Sequence, residues 1–455
     1  MNKNQEIFET APIPKAVAAM AIPTIISMLV TLVYNMADTF FIGQTNNALM
    51  VSAVSLTSPV FTLLTAFGNM FGIGGSTAIS RSMGLGEAKR VKNFSSFCFY
   101  GAIICGIVLC AGIIAGINLV LSLMGVQEST YAYAKEYLTY IALGCPFILL
   151  SGSLGSIVRS EGAAKVAMTG SMVGTILNIL LDPVMILWMN MGVSGAAVAT
   201  VLGNIGATVY YLVYFGKKKT SLSIRPADFK VREKIAKEVF SIGIPTALNS
   251  VLTTTATIMM NRLLVQYGDN PVAAMGIAIK VNTMVIFIAM GLCAGVQPLL
   301  AYNYGAGNRK RLMGIFKFTA IASVVIGGVL TAALLFIREP VIRIFMNDDI
   351  IVEYGAKMFG ILQISCPVIG LMFLGINTLQ AFGKGLTSLL LSVCRQGLVY
   401  IPVLFLFNRL FGMYGVVYAQ PLADAVTVVL VMLICLRSIH RVNLEESSDT
   451  IKNQR

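Results

Sequence analysis

Apolar residues in this chain form runs that are long enough to cross a lipid bilayer. A helix needs about 20 mainly apolar residues to span the hydrocarbon core, and twelve such runs alternate with short polar segments. They lie near 17–42, 51–79, 94–123, 131–157, 166–189, 193–215, 239–266, 272–300, 315–337, 351–380, 387–408 and 413–436. The pattern predicts an all-α polytopic membrane protein with twelve transmembrane helices.

The second half of the sequence repeats the first. At an offset of 221, SMGLGEAKR (82–90) aligns with NYGAGNRKR (303–311), GCPF (144–147) with SCPV (365–368) and Gly162 with Gly383, and at 220 Gly192 aligns with Gly412. Six spans per half leave both copies in one orientation, related by an axis along the membrane normal, with a site expected between them. We predict an N-terminal half at 1–220, a basic cytoplasmic linker at 221–238, and a C-terminal half with a cytoplasmic tail at 239–455.

Composition agrees with a membrane protein. The chain is 56% hydrophobic and 12% charged, with a mean hydropathy of +0.81, whereas soluble domains are about 25% charged. The net charge of +13 does not indicate nucleic-acid binding, because few polar stretches exist to form a groove. Most of the basic residues fall in the tails and between even and odd spans, with Lys384 and Arg395 in the last such segment. The positive-inside rule then places both termini in the cytoplasm of a cell-membrane protein.

Several chemistries have no sequence signal. The eight cysteines show no CxxC spacing, which disfavours a zinc site or disulfide framework. The single histidine, His440, lies in the C-terminal tail, and no P-loop motif is present. Without an intramembrane histidine or a paired nucleophile, we expect neither an enzyme nor a bound cofactor, and no selectivity-filter sequence indicates a channel.

Three acidic residues lie well inside the predicted spans: Asp38, Asp182 and Asp424. A carboxylate at the bilayer centre costs about 2.5–3.5 kcal/mol on insertion scales, so such residues generally serve a function. The alternative is a buried carboxyl group satisfied by neighbouring donors. We favour that alternative for Asp424, which has no supporting motif, and the functional interpretation for the other two.

Polar residues accompany the acids of the first half. Asn178 and Asp182 are one helical turn apart and share a face, and Thr200 and Asn204 repeat that spacing on the next span. Asp38, Asn178, Asp182 and Thr200 are therefore predicted to converge on one pocket. Two neighbouring carboxyl groups allow one to hold a proton near neutral pH, and the same oxygens suit a sodium ion; both remain open. The second half does not duplicate the acids.

Basic residues are the intramembrane charges of the second half. Arg262 lies near a helix end, where it is expected to extend to the membrane surface. Lys280 lies well within its span, so we expect it to face the cavity or to pair with a carboxylate such as Asp424.

At this point the sequence resembles the multidrug and toxic compound extrusion (MATE) transporters over nearly its whole length, most closely the bacterial and archaeal branch similar to the DNA-damage-inducible transporters. The motifs that carry the resemblance are AIPTIISML (21–29), DTFFIG (38–43), NILLDP (178–183), GVSGAAVATVLGN (192–204), GIPTALNSV (243–251) and MGLCAGVQPLLAYNYGAGN (290–308). The resemblance implies a V-shaped fold that alternates between inward-open and outward-open states. It also implies antiport, in which H⁺ or Na⁺ entry drives export of diverse, often cationic, compounds.

The resemblance also implies roles for individual residues. Positions matching the ion pocket of that branch are Asp38, Asn178, Asp182 and Thr200, which would form the metal site only if Na⁺ is the coupling ion. Tyr137 matches a pocket tyrosine, and Pro23 matches a proline whose helix bends. Acids that related branches place in the second half are not evident here, which disfavours coupling there.

Two functions remain as alternatives. The first is the cation-coupled drug antiporter, expected to act as a monomer on amphipathic or cationic small molecules in contact with membrane lipids. The second is a flippase for lipid-linked saccharides with the same general fold, in which Arg262 and Lys280 would hold a phosphate.

Overall fold

The computed structural model describes residues 3–45, 47–217, 220–231, 234–345 and 348–453. The helices of the N-terminal half are α1 (Lys3–Glu9), α2 (Ile13–Gly43), α3 (Ala48–Gly84), α4 (Ala88–Ala115), α5 (Ile117–Leu123), α6 (Glu128–Leu143), α7 (Cys145–Ser160), α8 (Ala164–Asp182) and α9 (Gly192–Gly216). Those of the C-terminal half are α10 (Ile235–Leu264), α11 (Asp269–Gly305), α12 (Arg309–Phe336), α13 (Arg338–Phe345), α14 (Asp349–Leu362), α15 (Cys366–Ala381), α16 (Gly385–Val393) and α17 (Tyr400–Asn453). Two π-helices, Pro183–Trp188 and Cys394–Val399, interrupt the fifth and eleventh spans.

The described helices account for the twelve predicted spans. Eight helical segments are long and apolar enough to cross a membrane, and ten if each bent pair, α6 with α7 and α14 with α15, counts as one span. The segment Gly385–His440 breaks at Gly412, where φ is 61° and ψ is −142°, so it holds two spans. The remaining span is α10, which has 30 residues but a surface rich in threonine and asparagine.

Turn glycines show the repeat in the backbone. Positive φ angles occur at Gly86 and Gly307 (74° and 69°), at Gly162 and Gly383 (87° and 78°), and at Gly192 and Gly412 (54° and 61°). A left-handed conformation strongly favours glycine, so the sequence repeat corresponds to a repeat of turns. The bent fourth and tenth spans also match, with angles of 54° and 48°.

The two halves pack together at one end of the bundle, which we call the basic end because the loops after α3 and α11 carry the basic clusters. Gly84 approaches the backbone of Tyr302, and Gly305 approaches that of Arg81. Deeper in the bundle, a Cβ on Gly295 would lie 2.7 Å from the Cα of Ala21. Glycines at these positions let the helices of the two halves cross in direct backbone contact.

The same helix faces are exposed toward the other end, the open end. On α3, Thr62 lies about six turns before Gly84 on one face and is exposed. On α10, Gly243 packs against Met70 of α3, whereas Thr257, about four turns later on that face, is exposed. The halves therefore diverge from the basic end and form a V with a cleft between α2, α3, α10 and α11.

Ion pairs join the halves at the basic end. Glu238, in the first turn of α10, pairs with Arg81 of α3, and its other oxygen lies 2.5 Å from Arg90 of α4. The Arg90 guanidinium also contacts Glu87 at 2.9 Å. Because this cluster, which we call the latch, joins α10 of one half to α3 and α4 of the other, we expect it to break if the basic end opens.

Removing the latch is expected to shift the protein toward states in which the basic end is open. In Glu238→Gln the two guanidinium groups lose their shared carboxylate. Since partly exposed pairs contribute about 0.2–1 kcal/mol each, the loss of two pairs should shift the equilibrium by about two- to thirtyfold. Spin labels at Leu85 and Lys310, across the closed end, should report a longer distance population. Glu353→Gln, which removes a pair within one helix, should leave the distances unchanged; identical distributions in Glu238→Gln would contradict the latch.

The segment joining the halves packs on the N-terminal half. Its described part, 220–231, runs against α4, where the Ser223 amide donates to Ser95 Oγ at 2.9 Å and Tyr100 donates to the Ile224 carbonyl at 3.0 Å. The carboxylate of Glu161 accepts bonds from Thr220 and Tyr214. Helix α10 begins at Ile235, inside the segment predicted as the linker. The division of the chain at 220 and 238 stays a prediction.

Candidate functional site

The four residues predicted to form an ion pocket lie together in the N-terminal half. Asp38 is on α2, Asn178 and Asp182 are on the last turns of α8, and Thr200 is on α9. The Asn178 amide donates to Asp182 Oδ1 at 3.4 Å and to Thr200 Oγ1 at 3.5 Å. Asp182 is fully buried, and Asn178 and Thr200 are 2% and 1% exposed. Asp38 lies one turn after Tyr34 on α2, and the Tyr34 hydroxyl is 3.4 Å from Thr200 Oγ1, which brings this part of α2 to the same pocket.

Glycines at the crossing of α8 and α9 bring these side chains together. A Cβ on Gly174 would lie 2.8 Å from the Gly203 carbonyl oxygen, and a Cβ on Gly203 would lie 2.7 Å from that of Gly174 and 3.0 Å from the Cβ of Asn178. The two backbones touch here, because neither residue has a side chain. Thr200 precedes Gly203 by one turn on α9 and lies beside Asn178.

Gly203→Ala is expected to separate α8 from α9 and loosen the pocket. Its methyl group has no space, because the nearest atoms belong to the backbone, and overpacking typically costs about 1–3 kcal/mol. We expect a lower melting temperature in detergent and weaker ion-dependent transport. Gly216→Ala on the same helix meets no atom within 4 Å and is the matched control. Equal melting temperatures for both variants would show that the crossing is not tight.

A π-helix begins directly after the pocket. Pro183 has no backbone N–H to continue the α-helical pattern of α8, and Pro183–Trp188 winds as a π-helix. Such turns are frequent at functional sites. Asp182 is thus the last α-helical residue before a change of winding.

Three buried oxygens in the pocket have no hydrogen-bond donor among the described residues. They are Asp38 Oδ1, Asn178 Oδ1 and Asp182 Oδ2. No ion pair with lysine or arginine is formed by Asp38 or Asp182 within the described chain, unlike the third intramembrane acid. An unsatisfied acceptor in a low-dielectric site is costly. These unsatisfied oxygens therefore suit a small cation, either a proton on a carboxyl group or a sodium ion bound by the oxygens.

Two tyrosines complete the pocket. Tyr34 lies one turn before Asp38 on α2, and its hydroxyl is 3.4 Å from Thr200 Oγ1. Tyr137 on α6 is 5% exposed and lies within electrostatic range of Asp38 and Asp182. Tyr137 was predicted to lie in the pocket. Tyr34 was not, although its i, i+4 spacing from Asp38 places both residues on one face of α2.

Other predicted residues lie apart from this pocket. Pro23 is buried on α2, 15 residues or about 22 Å along the helix from Asp38, beside the contact with α11 at the basic end. Asn204 accepts a bond from Ser151 at 2.5 Å and donates to the Thr200 carbonyl at 2.8 Å. It links α7 to α9 behind Thr200, and within the described chain it makes no hydrogen bond to Asp38 or Asp182.

Asp424 is paired with Arg395. This differs from the assignment of Arg395 to a segment between spans and from one of the two positions considered for Lys280. Arg395 Nε lies 2.7 Å from Asp424 Oδ1, Gln420 donates to the same oxygen at 2.9 Å, and Ser365 donates to Oδ2 at 2.9 Å. The expected partner, Lys280, does not bond to it. Arg395 is also not a loop residue, because it lies in the π-helix of the eleventh span and its side chain is only 12% exposed. Asp424 is a carboxylate satisfied inside the C-terminal half.

Lys280 faces the cleft, which is one of the two positions predicted for it. It lies eleven residues, or about three turns, before Gly291 on the same face of α11, and Gly291 packs against Ile25 of α2. Lys280 itself is exposed. Its distance from the start of α11 is about 16 Å, which is near half the thickness of the hydrocarbon core.

A V of twelve spans made from two parallel repeats, with a polar cleft and buried acids at membrane depth, is the architecture of a secondary transporter. The MatE family model matches the chain twice, at residues 23–184 and 245–406. Multidrug export protein MepA of Staphylococcus aureus (strain NCTC 8325 / PS 47) is 33% identical over 440 residues, which are 97% of this chain and 97% of that protein. Its counterpart in Staphylococcus saprophyticus is 33% identical over 427 residues, 94% of each chain.

Solved structures show the same fold. A crystal structure of MATE in complex with MaL6 superimposes with a TM-score of 0.93 at 23% identity, over 97% of this chain and 100% of that one. The chain belongs to the MATE family of multidrug efflux transporters. It is thus a multi-pass membrane transporter and not an enzyme, and the V-shaped fold of twelve spans is confirmed.

Proposed function

We propose that this protein is a cation-coupled antiporter that exports diverse, often cationic, drugs by alternating access. The observation that supports it best is the pair of buried carboxyl groups, Asp38 and Asp182, each with an oxygen that no described donor satisfies. Binding of H⁺ or Na⁺ at these oxygens neutralises the pocket and changes how α2 packs against α8 and α9. Because α2 also packs against α11 of the other half, ion binding is linked to the angle of the V.

The proposed setting is the cell membrane, with both termini and the basic end in the cytoplasm. The concentration of Arg81, Arg90, Lys310 and Arg311 at the closed end supports this orientation through the positive-inside rule. The V of this structure then opens to the outside, the state in which drug leaves and the ion enters. The protein would act as a monomer in contact with membrane lipids, because both halves that form the cleft belong to one chain.

The nature of the cargo follows from the relatives and from the cleft. MepA is described as a multidrug export protein, and a family resemblance over 97% of both chains supports amphipathic small molecules here. The exposed cleft face of α3 carries Ser55, Ser58 and Thr62, and that of α10 carries Thr257. Hydroxyl groups on otherwise apolar helices contact varied ligands without selecting one charge or shape.

Charge movement limits what can drive the cycle. Each charge that crosses is worth about 2.3 kcal/mol per 100 mV, and exchange of one H⁺ for one monovalent cationic drug moves no net charge. Such a cycle draws on the ion gradient alone. Use of the membrane potential requires at least two ions per drug, for which the pocket offers two carboxyl groups.

Reconstitution tests the proposal directly. Proteoliposomes loaded with a fluorescent cationic substrate should export it when a pH gradient or a sodium gradient is imposed separately, and the gradient that drives export identifies the ion. Absence of export under both gradients would contradict the proposal. Translocation of a labelled lipid-linked saccharide without any gradient would instead support the flippase.

A further inference from the structure

A groove of about 410 Å³ lies at the open end of the C-terminal half, away from the ion pocket. Its charged groups are Arg338, at the start of α13, and Lys357 on α14, and its rim carries Tyr414 and Tyr418 of α17. The remaining lining residues are Leu335, Gly360, Ile361 and Ile364. A basic rim with two tyrosines thus stands over an apolar floor.

The groove faces away from the cleft. On α14, a Cβ on Gly355 would lie 3.7 Å from the Ala274 carbonyl of α11, so that face of α14 points toward the cleft helix. Lys357 follows by two residues, which places it on the opposite face at 100° per residue, and Ile364 lies just beyond the end of α14 in the lining of the groove. Both are exposed. The groove therefore opens to the surface that lipid surrounds.

Only one of the two basic side chains of the groove is paired with a carboxylate in the described structure. Arg343 pairs with Asp349 at 2.7 Å, and Lys135 stacks over the Tyr131 ring at 5.8 Å. Lys357 contacts Glu353 at 2.8 Å, but an ammonium has three donors and keeps two. Within the described chain Arg338 has no carboxylate partner, and its guanidinium lies against Gly360. The groove keeps a net positive charge where basic residues are otherwise scarce.

The depth of the groove in the membrane also matches that of a lipid headgroup. Arg338 follows the end of α12, and Tyr414 lies two residues after the break at Gly412, so both stand where spans meet the membrane surface. Tyrosine is enriched at this level of a membrane. Ile361, in the last turn of α14, and Ile364, two residues beyond its end, continue the groove toward the bilayer centre, where an acyl chain lies.

We propose that this groove binds the phosphate headgroup of an anionic phospholipid in the leaflet at the open end. Arg338 and Lys357 donate to the phosphate oxygens, the tyrosine hydroxyls contact the glycerol region, and Leu335, Ile361 and Ile364 contact one acyl chain. The site is separate from the ion pocket and from the cleft, so the bound lipid is a resident ligand of the C-terminal half and not cargo.

Lipid titration of the purified full-length protein tests this assignment. Short-chain phosphatidylglycerol added in detergent should raise the melting temperature in a saturable way, and Arg338→Gln should weaken its apparent affinity about fivefold, the effect of about one basic contact. Gly360→Leu fills the groove without changing charge and should weaken binding as well. Arg409→Gln, an exposed base at the same end but outside the groove, is the matched control.

Three results would overturn the proposal. Equal affinity in wild type, Arg338→Gln and Gly360→Leu would place the lipid elsewhere. Equal stabilisation by phosphatidylethanolamine would remove the selectivity for anionic headgroups. A shift of the same size with inorganic phosphate alone would show that the apolar floor contributes nothing, so that no lipid is specified.

Discussion

Asp182→Asn is expected to abolish ion-driven export while leaving the protein folded and inserted. Asparagine has nearly the shape of aspartate, but it carries no proton that titrates and no negative charge to hold sodium. Asp182 is fully buried, and its Oδ2 has no described donor, so the substitution removes a costly group and no stabilising bond. The export rate under either gradient should fall to that of protein-free vesicles.

Asp38→Asn should have the same effect on coupling. Its carboxyl group lies on α2, the helix that also contacts the C-terminal half, so it is the member of the pair that connects ion binding to the cleft. The matched control is Asp349→Asn, an exposed acid at the open end whose pair with Arg343 contributes little. Unaltered gradient-driven export in both Asp38→Asn and Asp182→Asn would contradict the ion pocket, whereas melting temperatures near that of wild type would show that loss of export is not loss of folding.

Much of the fold was predictable from the sequence because its signals are local and repeated. Runs of apolar residues predicted the spans, and a constant offset aligned Gly162 with Gly383, which both adopt positive φ. The grouping of polar side chains around Asp182 was predictable for a related reason. Asn178 and Asp182 are one turn apart, so their shared face follows from helix geometry alone, and intramembrane carboxyl groups are rare enough to single out.

The features that were missed depend on contacts between distant segments. The latch joins Glu238 to Arg81, 157 residues apart, and nothing in either local sequence indicates the other. Arg395 was counted with the basic loop residues although it falls inside the apolar run 387–408, and a count of charges does not reveal that a π-helix holds it in the protein interior. Asp424 and Gln420 align with Asn204 and Thr200 at an offset of 220, so the second half uses the equivalent positions for a carboxylate that is already neutralised.

Arg395→Met is expected to destabilise the C-terminal half strongly. The Asp424 side chain is 2% exposed, so removing its cation leaves a buried carboxylate held only by Gln420 and Ser365. Breaking a buried pair by deleting one partner costs about 3–5 kcal/mol. The measurement is the melting temperature of the purified protein in detergent, which should fall by several degrees relative to wild type.

The double variant Arg395→Met/Asp424→Asn distinguishes a structural pair from a second coupling site. Asparagine still accepts hydrogen bonds from Gln420 and Ser365 but needs no counterion, so most of the lost stability should return. Because the coupling carboxyl groups are in the other half, the recovered protein should export substrate with the same dependence on the ion gradient as wild type. Recovery of stability with loss of gradient-driven export would assign Asp424 to coupling, and no destabilisation in Arg395→Met would contradict the ion pair itself.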